Sequence, residues 1–148
     1  MDVTYRDFEE KDFGALKEMV FCLYEEDPEG LAISDAKIRK TADESLAHPE
    51  KLRIVMICMD GAVIGYSLIC FVWSNEYGGD VLNIDELYIQ KEYRNRRIAS
   101  DFIGRQMRAG GAVALAVEAT PSNSAAARLY GRLGFEASPN THMIRTMD

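Results

Sequence analysis

The chain has little with which to staple itself. Its three cysteines, Cys22, Cys58 and Cys70, make an odd count with no close pair. Each sits in an apolar run, so buried free thiols in a reducing cytoplasm are expected rather than a disulfide framework. The two histidines, His48 and His142, have no softer ligands beside them, and no metal is expected. No run approaches the roughly eighteen apolar residues that a membrane span needs. The N-terminus, MDVTYRDFEEKDF, is charged and has no apolar centre, which argues against a signal peptide. Repeats, linkers and low-complexity tracts are missing as well.

What remains is an ordinary globular composition. The 148 residues, 47% hydrophobic and 28% charged, suffice for one core and are too few for two ordinary domains, so one domain over 1–148 is expected. The net charge of −7 is unevenly spread. Residues 1–60 carry 15 acidic against 8 basic side chains, and residues 61–148 carry 9 of each. Within that neutral half, residues 91–108 hold six basic side chains and two acidic ones. An acidic chain is a poor nucleic-acid binder, whereas a basic island within one suits a compact anion. The acidic first half suits a cationic partner, and solubility explains it equally well.

Periodicity gives the order of elements. Val3, Tyr5 and Phe8 suggest a short strand. Asp12 is a candidate N-cap for a helix carrying Phe13, Leu16, Val20 and Leu23, which ends in the acidic loop Glu25–Gly30. Ser34 can cap a second helix, with Ile38, Ala42 and Leu46, that stops at His48-Pro49. Leu52–Met59 and Ala62–Val72 flank Asp60-Gly61, a pair that favours a type I′ hairpin turn. Val81–Ile89 is a third long strand. Gly110-Gly111 ends the helix that starts near Ile98, and Ala112–Glu118 is a buried strand. Ala126, Leu129, Tyr130 and Leu133 mark a short helix ending at Gly134. Phe135–Ala137 and His142–Thr146 are expected to close the fold as two strands. The order β-α-α-β-β-β-α-β-α-β-β implies an α/β (α+β mixed) fold. Its sheet is mixed, mostly antiparallel, of about seven strands, with helices on both faces.

The most informative stretch is NIDELYIQKEYRNRRIASDF, from Asn83 to Phe102. A strand runs straight into a basic turn, Lys91 to Arg97, and then into a helix. The first amides of a helix lack intrahelical partners and lie at the positive end of its dipole, so this junction can hold a phosphate.

With NSAAARLYGRLGF following some thirty residues after ELYIQKEYRNRRIA, the chain resembles the GNAT superfamily of acyl-CoA-dependent N-acetyltransferases. The resemblance runs from the first strand to the last and is most specific over residues 84–135. It implies that Arg94-Asn95-Arg96-Arg97-Ile98-Ala99 wraps a coenzyme A pyrophosphate with backbone amides. Arg94 and Ala99 fit the family pattern, while Arg97 stands where the family has Gly. An Arg there keeps its amide available if it takes ordinary helical torsions, and its side chain adds charge or crowds the site. The resemblance also implies a bulged strand splayed from its neighbour, leaving backbone groups of Leu87, Tyr88 and Ile89 for the pantetheine. The Leu87 amide would polarise the thioester carbonyl.

The implied reaction moves an acetyl group from acetyl-CoA to a primary amine in a ternary complex. An amine with a pKa near 10.4 is deprotonated in only about one molecule in a few thousand at pH 7, so a base is needed. Glu86 is the favoured base, with Asp85 as second candidate or as an anchor for a cationic substrate; a water relay is the alternative. Adjacent strand residues face opposite ways, but a bulge can turn both toward one cleft. Tyr130 matches the family tyrosine that protonates the leaving sulfur. Asn123 matches a residue that contacts the coenzyme, against helix capping. Cys58 and Cys70 read as core, and surface or core roles suit His48 and His142. The acidic segment Glu25–Glu29 points to a small cationic acceptor of polyamine or aminoglycoside type. A protein or peptide amine, or a CoA-binding regulatory module without catalysis, are the alternatives. A homodimer through the terminal strands is implied by the resemblance alone.

Overall fold

The computed structural model describes residues 1–28 and 30–147; Glu29, at the end of the acidic segment, and Asp148 lie outside the described residues. Five strands, β1 (Val3–Asp7), β2 (Leu52–Met59), β3 (Ala62–Ser74), β4 (Gly79–Ile89) and β5 (Ala114–Val117), form one sheet in sequence order. The first four are antiparallel, and β5 joins β4 in parallel. The β2–β3 turn is the expected one: Asp60 and Gly61 both take positive φ, 49° and 85°.

Helices α1 (Phe13–Glu26) and α2 (Asp35–Ala47) cover one face. Leu16, Met19 and Val20 of α1 and Ile38 and Ala42 of α2 meet Ile54, Met56, Cys58, Tyr66 and Tyr88 there. Helix α3 (Ile98–Ala109) covers the other face, packing Phe102 and Ile103, both fully buried, against Val55, Ile69, Leu82 and Ile84. Helix α4 (Ser124–Arg132) borders the same cluster through Leu129 and Tyr130. Ser34 caps α2 as expected, accepting from the Lys37 amide at 3.3 Å.

Four expectations are corrected. Asp12 precedes α1 but does not cap it with its side chain; its carboxylate is held instead by Arg6, at 2.7 and 2.8 Å, and by the Glu9 amide at 2.9 Å. Cys22 is exposed, because the buried stripe of α1 runs through Leu16, Met19 and Val20 and leaves position 22 on the flank of the helix beside Tyr88. Leu46 is half exposed, beyond the Ile38–Ala42 contact. Finally, residues 135–137 and 142–146 form no strands, giving five strands rather than about seven among the described residues. Met143 and Ile144 are adjacent rather than alternating, so a strand there would have no apolar face, and both are exposed. Phe135 alone of the first run packs into the core, edge-on to Tyr130 at 5.8 Å between centroids. No described helix is long and apolar enough to cross a membrane.

Candidate active site

Two irregularities in β4 create the site. In the β3–β4 ladder Leu68 pairs with Glu86 and Ile69 with Ile84, so Asp85 is an extra residue without a partner. Such a bulge breaks the alternation of side chains. Leu82 and Ile84 face α3, whereas Glu86 and Tyr88 face α1. Asp85 is on the α1 face by ordinary alternation from Ile84, and its charge is felt at Tyr24, Tyr66 and Cys70.

The second irregularity is a parting of strands. The β4–β5 ladder ends at Ile84 opposite Val117, while β4 runs on to Ile89. Beyond that point the β5-facing backbone of β4 has no ladder partner and borders a cleft of about 740 Å³. Leu87, Tyr88 and Ile89 form one wall and Asn123, Leu129 and Tyr130 the other. Gly65 lets β3 approach this wall, since a Cβ there would collide with the Tyr88 carbonyl oxygen and with Ile89.

The loop before α3 closes one end. Arg94, Asn95, Arg97, Ile98 and Ala99 all line the cleft. Arg96 does not, and its guanidinium turns back over the Tyr93 ring and donates to the Glu92 carbonyl. Arg94 lines the cleft with its guanidinium already committed. Its Nε donates to the Ile89 carbonyl at 2.7 Å, and Nη2 donates to Glu26 at 2.9 and 3.1 Å, so it fastens α1 to the end of β4. Arg97 departs from expectation: its torsions are left-handed, φ 62° and ψ 10°. The chain turns from extended backbone at Arg94 into α3 in three residues by using two left-handed positions, Asn95 and Arg97. Asparagine tolerates that region, and a glycine would be at ease at 97, but an arginine is strained there by about 1 kcal/mol.

The first hydrogen bond of α3 runs from the Asp101 amide to the Arg97 carbonyl, at 2.9 Å. The amides of Ile98, Ala99 and Ser100 therefore have no helical acceptor and stand at the positive end of the dipole. Arg128 and Arg132 of α4 also line the cleft, and with Arg97 they make its rim basic. This donor set fits a pyrophosphate. Asn123 both lines the cleft and caps α4, accepting from the Ala126 amide at 3.1 Å. Across the mouth, the Thr120 hydroxyl donates to Asp27 at 2.9 Å, tying the end of α1 to the loop before α4.

A sequence model of the acetyltransferase (GNAT) family matches residues 15–135. The chain belongs to that family. As a GNAT protein it is an acyltransferase, and its whole length superposes on solved GNAT folds. A possible acetyltransferase from Clostridium difficile 630 aligns over 99% of both chains with a TM-score of 0.84 at 18% identity. The aminoglycoside N-acetyltransferase AAC(6')-Iy, solved with a bisubstrate analog of CoA and acetylneamine, aligns over 100% of both chains at 0.81 and 18% identity. A predicted acetyltransferase from Clostridium acetobutylicum, solved with acetyl-CoA, aligns over 97% of this chain and 96% of its own at 0.77 and 16% identity. At such identity the likeness concerns the fold. Among curated proteins, none matches the chain in sequence.

The titratable groups of this GNAT site differ in environment. Burial pushes the Glu86 carboxyl up; hydrogen bonds from Tyr24 and Tyr66 pull it down, and the Asp85 charge pushes it up again. Asp85 is raised by desolvation and then by Glu118. Tyr130 is raised above the usual 10.0 by burial, so it keeps its proton at neutral pH. Tyr24, Tyr66, Arg128 and Arg132 were not singled out by sequence reasoning. The clue for the arginines is their i, i+4 spacing, which puts Arg128 and Arg132 on one face of the short helix that carries Tyr130; the tyrosines contact Glu86 only through the fold.

Proposed function

We propose that this protein transfers the acetyl group of acetyl-CoA to a primary amine by direct attack in a ternary complex, the acceptor being a small cationic amine of polyamine or aminoglycoside type. One observation carries the reading. Where the sheet parts beyond Ile84, the cleft has Tyr130, a phenol held protonated by burial, on its α4 wall, while the strand opposite carries Glu86, a largely buried carboxylate without a cationic partner among the described residues. These are the base and the acid that aminolysis of a thioester needs.

In this reading the amides of residues 97–100 hold the pyrophosphate, and the Arg97, Arg128 and Arg132 side chains add charge around it. Free backbone groups of Leu87, Tyr88 and Ile89 pair with the pantetheine arm, and the Leu87 amide polarises the carbonyl under attack. Asn123 adds a contact from α4. The co-substrate supplies the acyl group as a thioester. Glu86 takes the proton released by the acceptor nitrogen, the N–C bond forms as the C–S bond breaks, and Tyr130 donates a proton to the departing sulfur. Asp85 and Glu118 give the acceptor side a negative field that favours a cation. The aminoglycoside enzyme among the structural neighbours agrees with a small-molecule acceptor. Free cysteines suit a cytoplasmic location.

Free-thiol release from acetyl-CoA over a panel of polyamines, aminoglycosides and peptide N-termini, paired with calorimetry for coenzyme A, tests the proposal. Turnover confined to cationic small molecules supports it. Turnover on peptides alone, or binding without turnover on any amine, overturns the acceptor or the catalytic assignment respectively.

A further inference from the structure

Glu86 is the least conventional group of the strand that borders the cleft: it is an inward carboxylate on the α1 face, just before the lining residues Leu87–Ile89, and is served by tyrosines rather than by a cation. The Tyr24 hydroxyl, near the end of α1, donates to Oε2 at 2.7 Å, and the Tyr66 hydroxyl of β3 donates to Oε1 at 2.8 Å. The Ser67 hydroxyl donates to the Glu86 carbonyl at 2.9 Å, fixing the backbone beside the bulge. The groups facing Glu86 are thus Tyr24 from α1, Tyr66, Ser67 and Cys70 from β3, and Asp85 from its own strand, with no lysine, arginine or histidine among its influences.

A cation in place of the two hydroxyls would hold the carboxylate as firmly, but it would cancel its charge and repel an ammonium acceptor. Neutral O–H donors stabilise the ionised form while leaving the net negative charge in place. Each oxygen receives one donor from a different element, so rotation about the last side-chain bond is blocked. We propose that Tyr24 and Tyr66 are positioning residues for Glu86, which hold its carboxylate in one orientation and keep it ionised without neutralising it. The assignment rests on the reading of Glu86 as the base. Through Tyr24 it also makes the base depend on the placement of α1, the helix whose end reaches the cleft mouth at Asp27.

The test uses the full chain, Tyr24→Phe and Tyr66→Phe, with Glu86→Gln to identify the resonance. The Glu86 carboxyl is titrated by carbon-13 NMR without substrates, and kcat/KM is measured against pH with acetyl-CoA and an accepted amine. Loss of either hydroxyl is expected to move the Glu86 midpoint to higher pH. The acid limb of kcat/KM should move with it, with a roughly tenfold loss on the acid side that recovers as pH rises. An unchanged or lowered midpoint in both variants overturns the proposal. A midpoint that moves while the acid limb stays still upholds the positioning and removes Glu86 as the base. Tyr24 is only half-buried, and Phe keeps its ring, so Tyr24→Phe carries the test if the buried Tyr66 variant fails to fold.

Discussion

Asp85 and Glu86 are neighbours on β4, yet both stand on the α1 face of the sheet because the ladder slips by one residue between them and β3. An unbroken strand would have sent one of the two toward α3. The slip therefore sets the position of the candidate base and gathers two negative groups into one region. Burial raises both carboxyls, with Glu118 adding to it at Asp85 and the Asp85 charge adding to it at Glu86; at Glu86 the shift costs stability at neutral pH.

That cost has a definite sign. The folded-state value of Glu86 lies above its unfolded value, mainly through burial, so its favourable contribution is complete only below the unfolded value and is lost as pH rises through the folded one. Glu86→Gln is therefore expected to raise Tm at pH 7 by about 2–4 °C, roughly 1 kcal/mol for a chain this size, with the gain shrinking as pH falls toward about 4. The same variant should lose roughly 10²-fold or more in kcat. Thermal melts at several pH values and steady-state kinetics check both halves.

Arg97 offers a second test. Arg97→Gly and Arg97→Ala both remove the guanidinium, but only glycine relieves the left-handed backbone at φ 62°. The glycine variant is expected to be more stable than the alanine variant by about 1 kcal/mol in denaturant unfolding. Equal stabilities would mean that the loop is not strained at this position.

The Arg6–Asp12 pair behaves oppositely to Glu86. Asp12 is buried and held below the usual carboxylate range, first by its hydrogen bonds from Arg6. Its stabilising effect is present above the unfolded value of 3.8 and is lost as pH falls through the lower folded one. Asp12→Asn should destabilise by about 1–2 kcal/mol at pH 7, since the buried Asp12 side chain loses its charge-assisted hydrogen bonds from Arg6, whose own side chain is 35% exposed. The difference from the parent protein should fade below about pH 3.

Most of the fold was legible because its signals are local. Asp60-Gly61, Ser34, Gly110-Gly111 and the apolar stripes of α1, α3 and α4 act within a few residues of themselves. The C-terminal runs misled because β-propensity over three to five residues says little without a partner strand. At the site, Leu87, Tyr88, Ile89, Arg94, Asn95, Arg97, Ile98, Ala99, Asn123 and Tyr130 line the cleft, whereas Asp85, Glu86 and Arg96 are not among its lining residues. What sequence could not supply was tertiary. The commitment of Arg94 to Glu26 spans 68 positions and that of Tyr24 to Glu86 spans 62. The left-handed turn at Arg97 was masked because the residue type argues against it.

The account stands most directly on Tyr130, whose side chain alone is assigned to the departing sulfur. Acetyl-CoA turnover by Tyr130→Phe, measured on an accepted amine together with calorimetric coenzyme A affinity, is the decisive comparison. The expected result is a fall in kcat of about 10²-fold or more with affinity changed less than roughly threefold. Full turnover in the phenylalanine variant would contradict the account.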